Sequence, residues 1–195
     1  MARMKILTRH EVAEFESPPK FNSAERKRFF SVSSAFQELL ENPRTTPTNR
    51  VCFLVTLGYF KARQKFFARQ FSQTDIEFVA NQVGVNALEI DIENYSKETY
   101  IRHQRLILQH FGYQAFDEMA HAFTLAEIQT LVRVQHRPKL IFLEVVQRLT
   151  HKKIVLPTYS LLADLIIEAA NQHQQHLSEI LITACLLYTS PSPRD

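Results

Sequence analysis

Arg102, Arg105 and Gln109 stand at i, i+3 and i+7, so on a helix they share one face. A guanidinium bonds guanine bidentately and a glutamine amide does the same with adenine, so this face can read base edges in a DNA groove. Lys97 and His103 lie beside it as further groove contacts. Taken alone, the pattern is more often a solvated amphipathic face. A second set of residues offers charge for phosphates. Between Asn42 and Thr74 the chain carries six basic residues, Arg44, Arg50, Lys61, Arg63, Lys65 and Arg69, and no Asp or Glu. Solvated faces normally mix signs, so an acid-free cationic stretch suits a polyanion. Threaded through it are Phe53, Tyr59, Phe60, Phe66, Phe67 and Phe71. Aromatics in this setting are more often core than stacking platforms. Lys61, Arg63 and Lys65 also stand at and beyond a helix C-terminus, where the dipole favours cations in any case.

Other chemistries find little support. His173 and His176 are at i, i+3, and His103 and His110 at i, i+7, but no Cys or acid sits at ligand spacing beside them. Cys52, inside an apolar run, reads as a small core residue. No G-x-S-x-G, H-E-x-x-H or partnered carboxylate pair occurs, so catalysis within these residues is not expected. The three glycines, Gly58, Gly84 and Gly112, are too few and too far apart for a dinucleotide or Walker-type phosphate loop. No cofactor is implied. The net charge is +3, unevenly spread. Residues 1–74 hold 13 Lys/Arg against 6 Asp/Glu, while residues 75–95 hold five acids and no Lys or Arg. No run of 18 apolar residues and no signal-peptide core occurs, so a soluble, intracellular protein without membrane contact is expected.

The elements that must position these residues read as helices throughout. Thr8 with Glu11 and Asn22 with Glu25 are capping boxes for two short helices. Ser33–Glu41 makes a third. Thr48 to Ala62 is apolar nearly all round and predicts a buried central helix, with Gly58 marking a close crossing. A helix from Gln73 to Val83 ends at Gly84, and one opened by Ser96 runs through His110 with Gly112 beyond it. Thr124 with Glu127 predicts a cap for the next. A helix over 139–150 and a long amphipathic one from Ser160 complete an all-α chain of nine or ten helices. Residues 76–93 fit a helix-turn-helix: Val79, Val83, Val85 and Ile90 as apolar anchors, Ala80 at the crossing and Gly84 at the turn. Its second helix carries Glu89, Asp91 and Glu93, which phosphates repel, so the reading role falls to the helix over 97–110.

Several ordered phrases resemble the N-terminal domain of bacterial replicative transposases of the Tn-three family. They are Pro18-Pro19 with Glu25-Arg26-Lys27-Arg28-Phe29-Phe30, then Arg50-Val51-Cys52-Phe53-Leu54 through Leu57-Gly58-Tyr59-Phe60. Phe78 to Gly84, Tyr95 to Arg102, Phe111-Gly112-Tyr113 and Ile154-Val155-Leu156-Pro157 follow. The likeness spans about residues 5 to 180. It implies a helical region that binds the terminal inverted repeats of a transposon in DNA transposition, in the bacterial cytoplasm. The RNase-H-like catalytic domain of such proteins, with its Asp, Asp, Glu triad and magnesium, lies far downstream and has no counterpart here. This fragment is therefore not expected to be an enzyme. One departure is local: Pro43 to Arg50 carries an altered or extra residue, which unsettles the register of Arg44.

Cys185 to Asp195 (CLLYTSPSPRD) resembles the in-frame translation of a sequencing-library adapter, which would place the native end near Ala184. Residues 1–184 are then the DNA-binding region, divisible at about 1–115 and 116–184. The expected partners are double-stranded transposon-end DNA, the downstream transposase domains and a second subunit. The alternative is a helical protein–protein module for transposase assembly or dimerisation.

Overall fold

The computed structural model describes residues 5–43 and 45–189, with side chains through residue 185. The fold is all-α, with nine α-helices and no strand among the described residues. Both expected capping boxes form. The Glu11 carboxylate accepts the Thr8 amide at 2.8 Å and the Thr8 hydroxyl accepts the Glu11 amide at 3.3 Å, starting α1 (Arg9–Glu16). Asn22 and Glu25 do the same for α2 (Ser23–Phe29). A 3₁₀ turn at Ser34–Phe36 leads into α3 (Gln37–Glu41).

The central helix is α4 (Pro47–Arg63). Thr46 caps it, and Pro47 sits in its first turn, where a missing N–H leaves nothing unpaired. Every residue from 51 to 60 is buried, because α2, α5 (Gln73–Gln82) and α6 (Lys97–Phe111) pack around it. Gly58 makes the α2 crossing possible: a Cβ there would stand 2.3 Å from the Phe30 ring. Gly112 ends α6 in the left-handed region at φ 67, as its sequence position predicts.

Two expectations need correction. Residues 76–93 do not form a helix-turn-helix. After α5 and Gly84 (φ 69) come only two 3₁₀ turns, Ala87–Glu89 and Ile92–Asn94. Asn86 accepts the Leu88 amide and Asp91 accepts the Glu93 amide, each capping a separate 3₁₀ turn, so the second cap restarts the chain where one helix would have to continue. The Asp91 amide donates in turn to Thr48 on α4 at 3.3 Å, tying the segment down as an extended connector. The second correction is the start of α7 (Glu118–Leu131), where Asp117 is the cap and accepts the Ala120 amide at 2.9 Å. Thr124 lies inside the helix, buried, its hydroxyl donating to the Ala120 carbonyl.

α8 (Pro138–His151) and α9 (Tyr159–Thr189) complete the chain. The apolar side chains gather in two main clusters. One surrounds α4 and takes in Phe30, Ile76, Val79 and Ile107. The other joins α7, α8 and α9 with Ile6, Leu7, Val12 and Phe15 from the N-terminus. A division near residue 115 therefore cuts across the packing, since α1 belongs with α9. The clusters meet where the Leu156 amide donates to the Gln64 carbonyl at 3.1 Å and Val155 enters the α4 cluster.

Candidate nucleic-acid interface

Beyond α4 the chain turns through two left-handed residues, Gln64 (φ 51) and Ala68 (φ 51), and lays the end of the acid-free stretch along the α1–α2 connection. Two neighbouring clefts result, sharing Ser17, Pro18 and Lys20. The smaller, about 460 Å³, is lined by His10, Lys20 and Arg63. The larger, about 690 Å³, is lined by Lys20, Arg26 and Arg69. Arg69 reaches on to the Tyr95 carbonyl at 2.7 Å, which sets it beside the first turn of α6. Backbone and Ser96 hydrogen bonds hold the Glu98 carboxyl there below its ordinary range, and the charges of Lys97 and Arg69 add to them. Cations thus follow one another from Arg63 through Lys20, Arg26 and Arg69 to Lys97.

Besides Glu98, two carboxylates lie along this path. Glu14 stands 3.7 Å from Arg63, both largely exposed, a pair that water screens. Asp75 is 1% exposed, and its oxygens are taken by Arg26 Nε at 2.7 Å and Tyr59 OH at 2.9 Å. Arg26 also donates to Thr74 at 3.0 Å, and the Ser72 amide donates to Tyr59 OH. This network fixes Arg26 at the wall of the larger cleft.

Several of the expected contacts fall elsewhere. Lys65 is buried, its ammonium 2.9 Å from Glu16, 3.3 Å from the Phe15 carbonyl and 3.9 Å above the Phe15 ring. Burial pulls its pKa down against the opposing pull of Glu16. It pins α1 to the end of α4 and is not available to a phosphate. His103 is fully buried, turned about 100° around α6 from the exposed Arg102, its Nδ1 2.7 Å from Tyr95 OH and its ring 5.0 Å from Phe53. Burial, with Arg102 adding to it, lowers its pKa to about 4, so it is a neutral core residue and no groove contact. Lys61 is half-buried and donates to the Ser31 carbonyl at 2.6 Å, joining α4 to the end of α2. Arg50, also half-buried, donates to the Asn42 carbonyl at 3.1 Å. Arg44 lies outside the described residues.

On α6, Lys97, Arg102, Arg105 and Gln109 are all exposed. Gln109 lines a further cleft with Phe36 and His110. Phe53, Tyr59, Phe60 and Phe67 are core, and Phe66 stacks on Phe60 at 4.9 Å. Phe71 alone of the six lines the cationic cleft. No three His, Cys, Asp or Glu side chains among the described residues are placed to hold a metal ion. Among those residues no helix is long and apolar enough to cross a membrane.

A family model described as "Domain of unknown function (DUF4158)" matches residues 6–169, most of the chain. The chain belongs to the DUF4158 family. No curated protein matches it. The match covers every element of this DUF4158 domain from α1 to the first turns of α9, and so the whole cationic path. Two members of that path, Lys20 and Arg26, were missed by sequence reasoning. The Glu25-Arg26-Lys27-Arg28 run was the available signal, since three cations in the last turn of a seven-residue helix exceed what its dipole needs.

Proposed function

We propose that this DUF4158 domain binds duplex DNA sequence-specifically at the terminal inverted repeats of a transposon, as the N-terminal part of a transposase. The observation that carries the reading is the run of cations from Arg63 to Lys97, leading onto the exposed Arg102, Arg105 and Gln109 of α6. DUF4158 is a domain found in Tn-three-family transposases, which agrees with it. Arg63, Lys20, Arg26, Arg69 and Lys97 hold backbone phosphates and set the register; Arg102 and Arg105 enter the groove. Catalysis of strand transfer is no part of the role proposed for these residues.

A second reading rests on a different observation. Leu177, Ile180, Leu181 and Ile182 on the distal half of α9 are exposed, which fits a helical module that docks other transposase domains or a second subunit. Salt separates the two. Five phosphate contacts predict that log K falls against log salt with a slope of about −4 to −5. A flat salt response, or equal affinity for inverted-repeat and scrambled duplexes, removes the specific-DNA reading.

A further inference from the structure

The larger cleft differs from an ordinary phosphate clamp in carrying an apolar wall. Phe21, Phe71 and Ile92 line it beside the three cations. Phe21 is held by Phe29, stacked at 5.1 Å, and by Phe30 edge-on at 5.3 Å. Phe71 is braced by Tyr59 at 6.5 Å and Tyr95 at 6.0 Å and remains partly exposed. The one carboxylate at the floor, Asp75, is paired with Arg26 and bonded by Tyr59, so the opening stays positive through Lys20 and Arg69. The Ser72 and Thr74 hydroxyls, 2.8 Å apart, add neutral hydrogen-bonding groups at the same rim. At about 690 Å³ the volume suits a ring-bearing small group rather than a lone ion.

Aromatic wall, cations and hydroxyls together match one chemistry, a planar base joined to a phosphate. We infer that this cleft receives a single unstacked nucleotide of a DNA strand, its base against Phe71 and its phosphate among Lys20, Arg26 and Arg69. The inference deepens the DNA-binding reading and rests on it for the source of the nucleotide. A duplex held along the cationic path, with one nucleotide turned out, would place that nucleotide at this wall. Unstacking costs least at a mismatch, a frayed end or a single-stranded stretch.

The test compares a short oligothymidine with an abasic strand of equal length and equal phosphate count, by fluorescence anisotropy on the full chain. Oligothymidine is expected to bind about 10-fold more tightly, the contribution of one stacked base. Phe71→Leu keeps most of the packing volume and should abolish that difference while leaving abasic affinity unchanged. Arg69→Gln should weaken both strands. A variant that merely misfolds loses both affinities and its helical circular dichroism, so Lys20→Gln, at an exposed site, provides a second reading of the phosphate contact. Equal binding of the two wild-type strands overturns the pocket. Saturation by thymidine monophosphate that oligothymidine cannot displace assigns the cleft to a free nucleotide and overturns the strand claim. Loss of the base effect with the duplex salt slope retained defeats this inference alone; a flat duplex slope with the base effect retained defeats only the duplex reading.

Discussion

Lys65 brings a charge into an apolar contact and neutralises it with Glu16, so its contribution is to folding. Lys65→Ala should lower the free energy of unfolding by about 2 kcal/mol in urea titrations, because it leaves the Phe15 carbonyl without its donor and takes the ammonium away from Glu16 Oε2. DNA affinity per folded molecule should stay within about two-fold, since no phosphate contact is lost. His103 gives a pH signature. Its ring is neutral in the fold, with a pKa of about 4 against an ordinary 6.5. Above the ordinary value both states are neutral and nothing is lost. As pH falls below 6.5 the unfolded chain takes a proton that the folded one refuses, so stability declines until about pH 4. That window should contain a loss on the order of 3 kcal/mol in wild type, and the loss should largely vanish in His103→Gln. Neither role was local in the sequence. The acid that neutralises Lys65 is in α1, far from the acid-free stretch. For His103 a signal existed: Tyr100, His103 and Ile107 repeat at i, i+3 and i+7, the buried face of α6.

At the scale of the element, α4 and α6 were legible because apolar periodicity, caps and glycines all agree. Gly58 shows how far such agreement reaches. Its place in a buried helix predicts a close crossing, and the crossing partner is Phe30. Gly58→Ala should therefore destabilise by about 1–3 kcal/mol in thermal or urea unfolding, despite the better helix propensity of alanine. A stabilised variant would mean that Phe30 yields without strain. The connector between α5 and α6 was misread because helix-turn-helix anchors record apolar spacing only. Asp91 supplies the opposing preference: by capping a new turn at Ile92 it interrupts the helix that Asn86 begins. With no second helix there, the base-reading role proposed for this region falls to α6 alone. The paired change Arg102→Glu and Arg105→Glu should relax discrimination between inverted-repeat and scrambled duplexes by about 10-fold or more, with α6 intact by circular dichroism.

Across the whole molecule the cations form a path only because residues distant in sequence converge: Lys20 and Arg26 from around α2, Arg63 and Arg69 from the end of α4 and beyond, Lys97 from α6. Charge counting located the basic third of the chain but not which members face outward together. Lys20→Ala and Arg63→Ala should each weaken binding to all duplexes alike and reduce the salt slope by about one. An unchanged slope would place them off the DNA path.

α1 also closes the molecule. The Leu7 amide meets the Tyr159 hydroxyl across 152 residues of chain, and Glu16 accepts the Tyr159 amide. During synthesis at about 5–20 residues per second, α1 can take up its Lys65 contacts within roughly three to ten seconds but its Tyr159 contacts only after roughly eight to thirty. Phe15 is thus partly covered by Lys65 well before the α7–α9 cluster that completes its packing, and that of Val12, has been made.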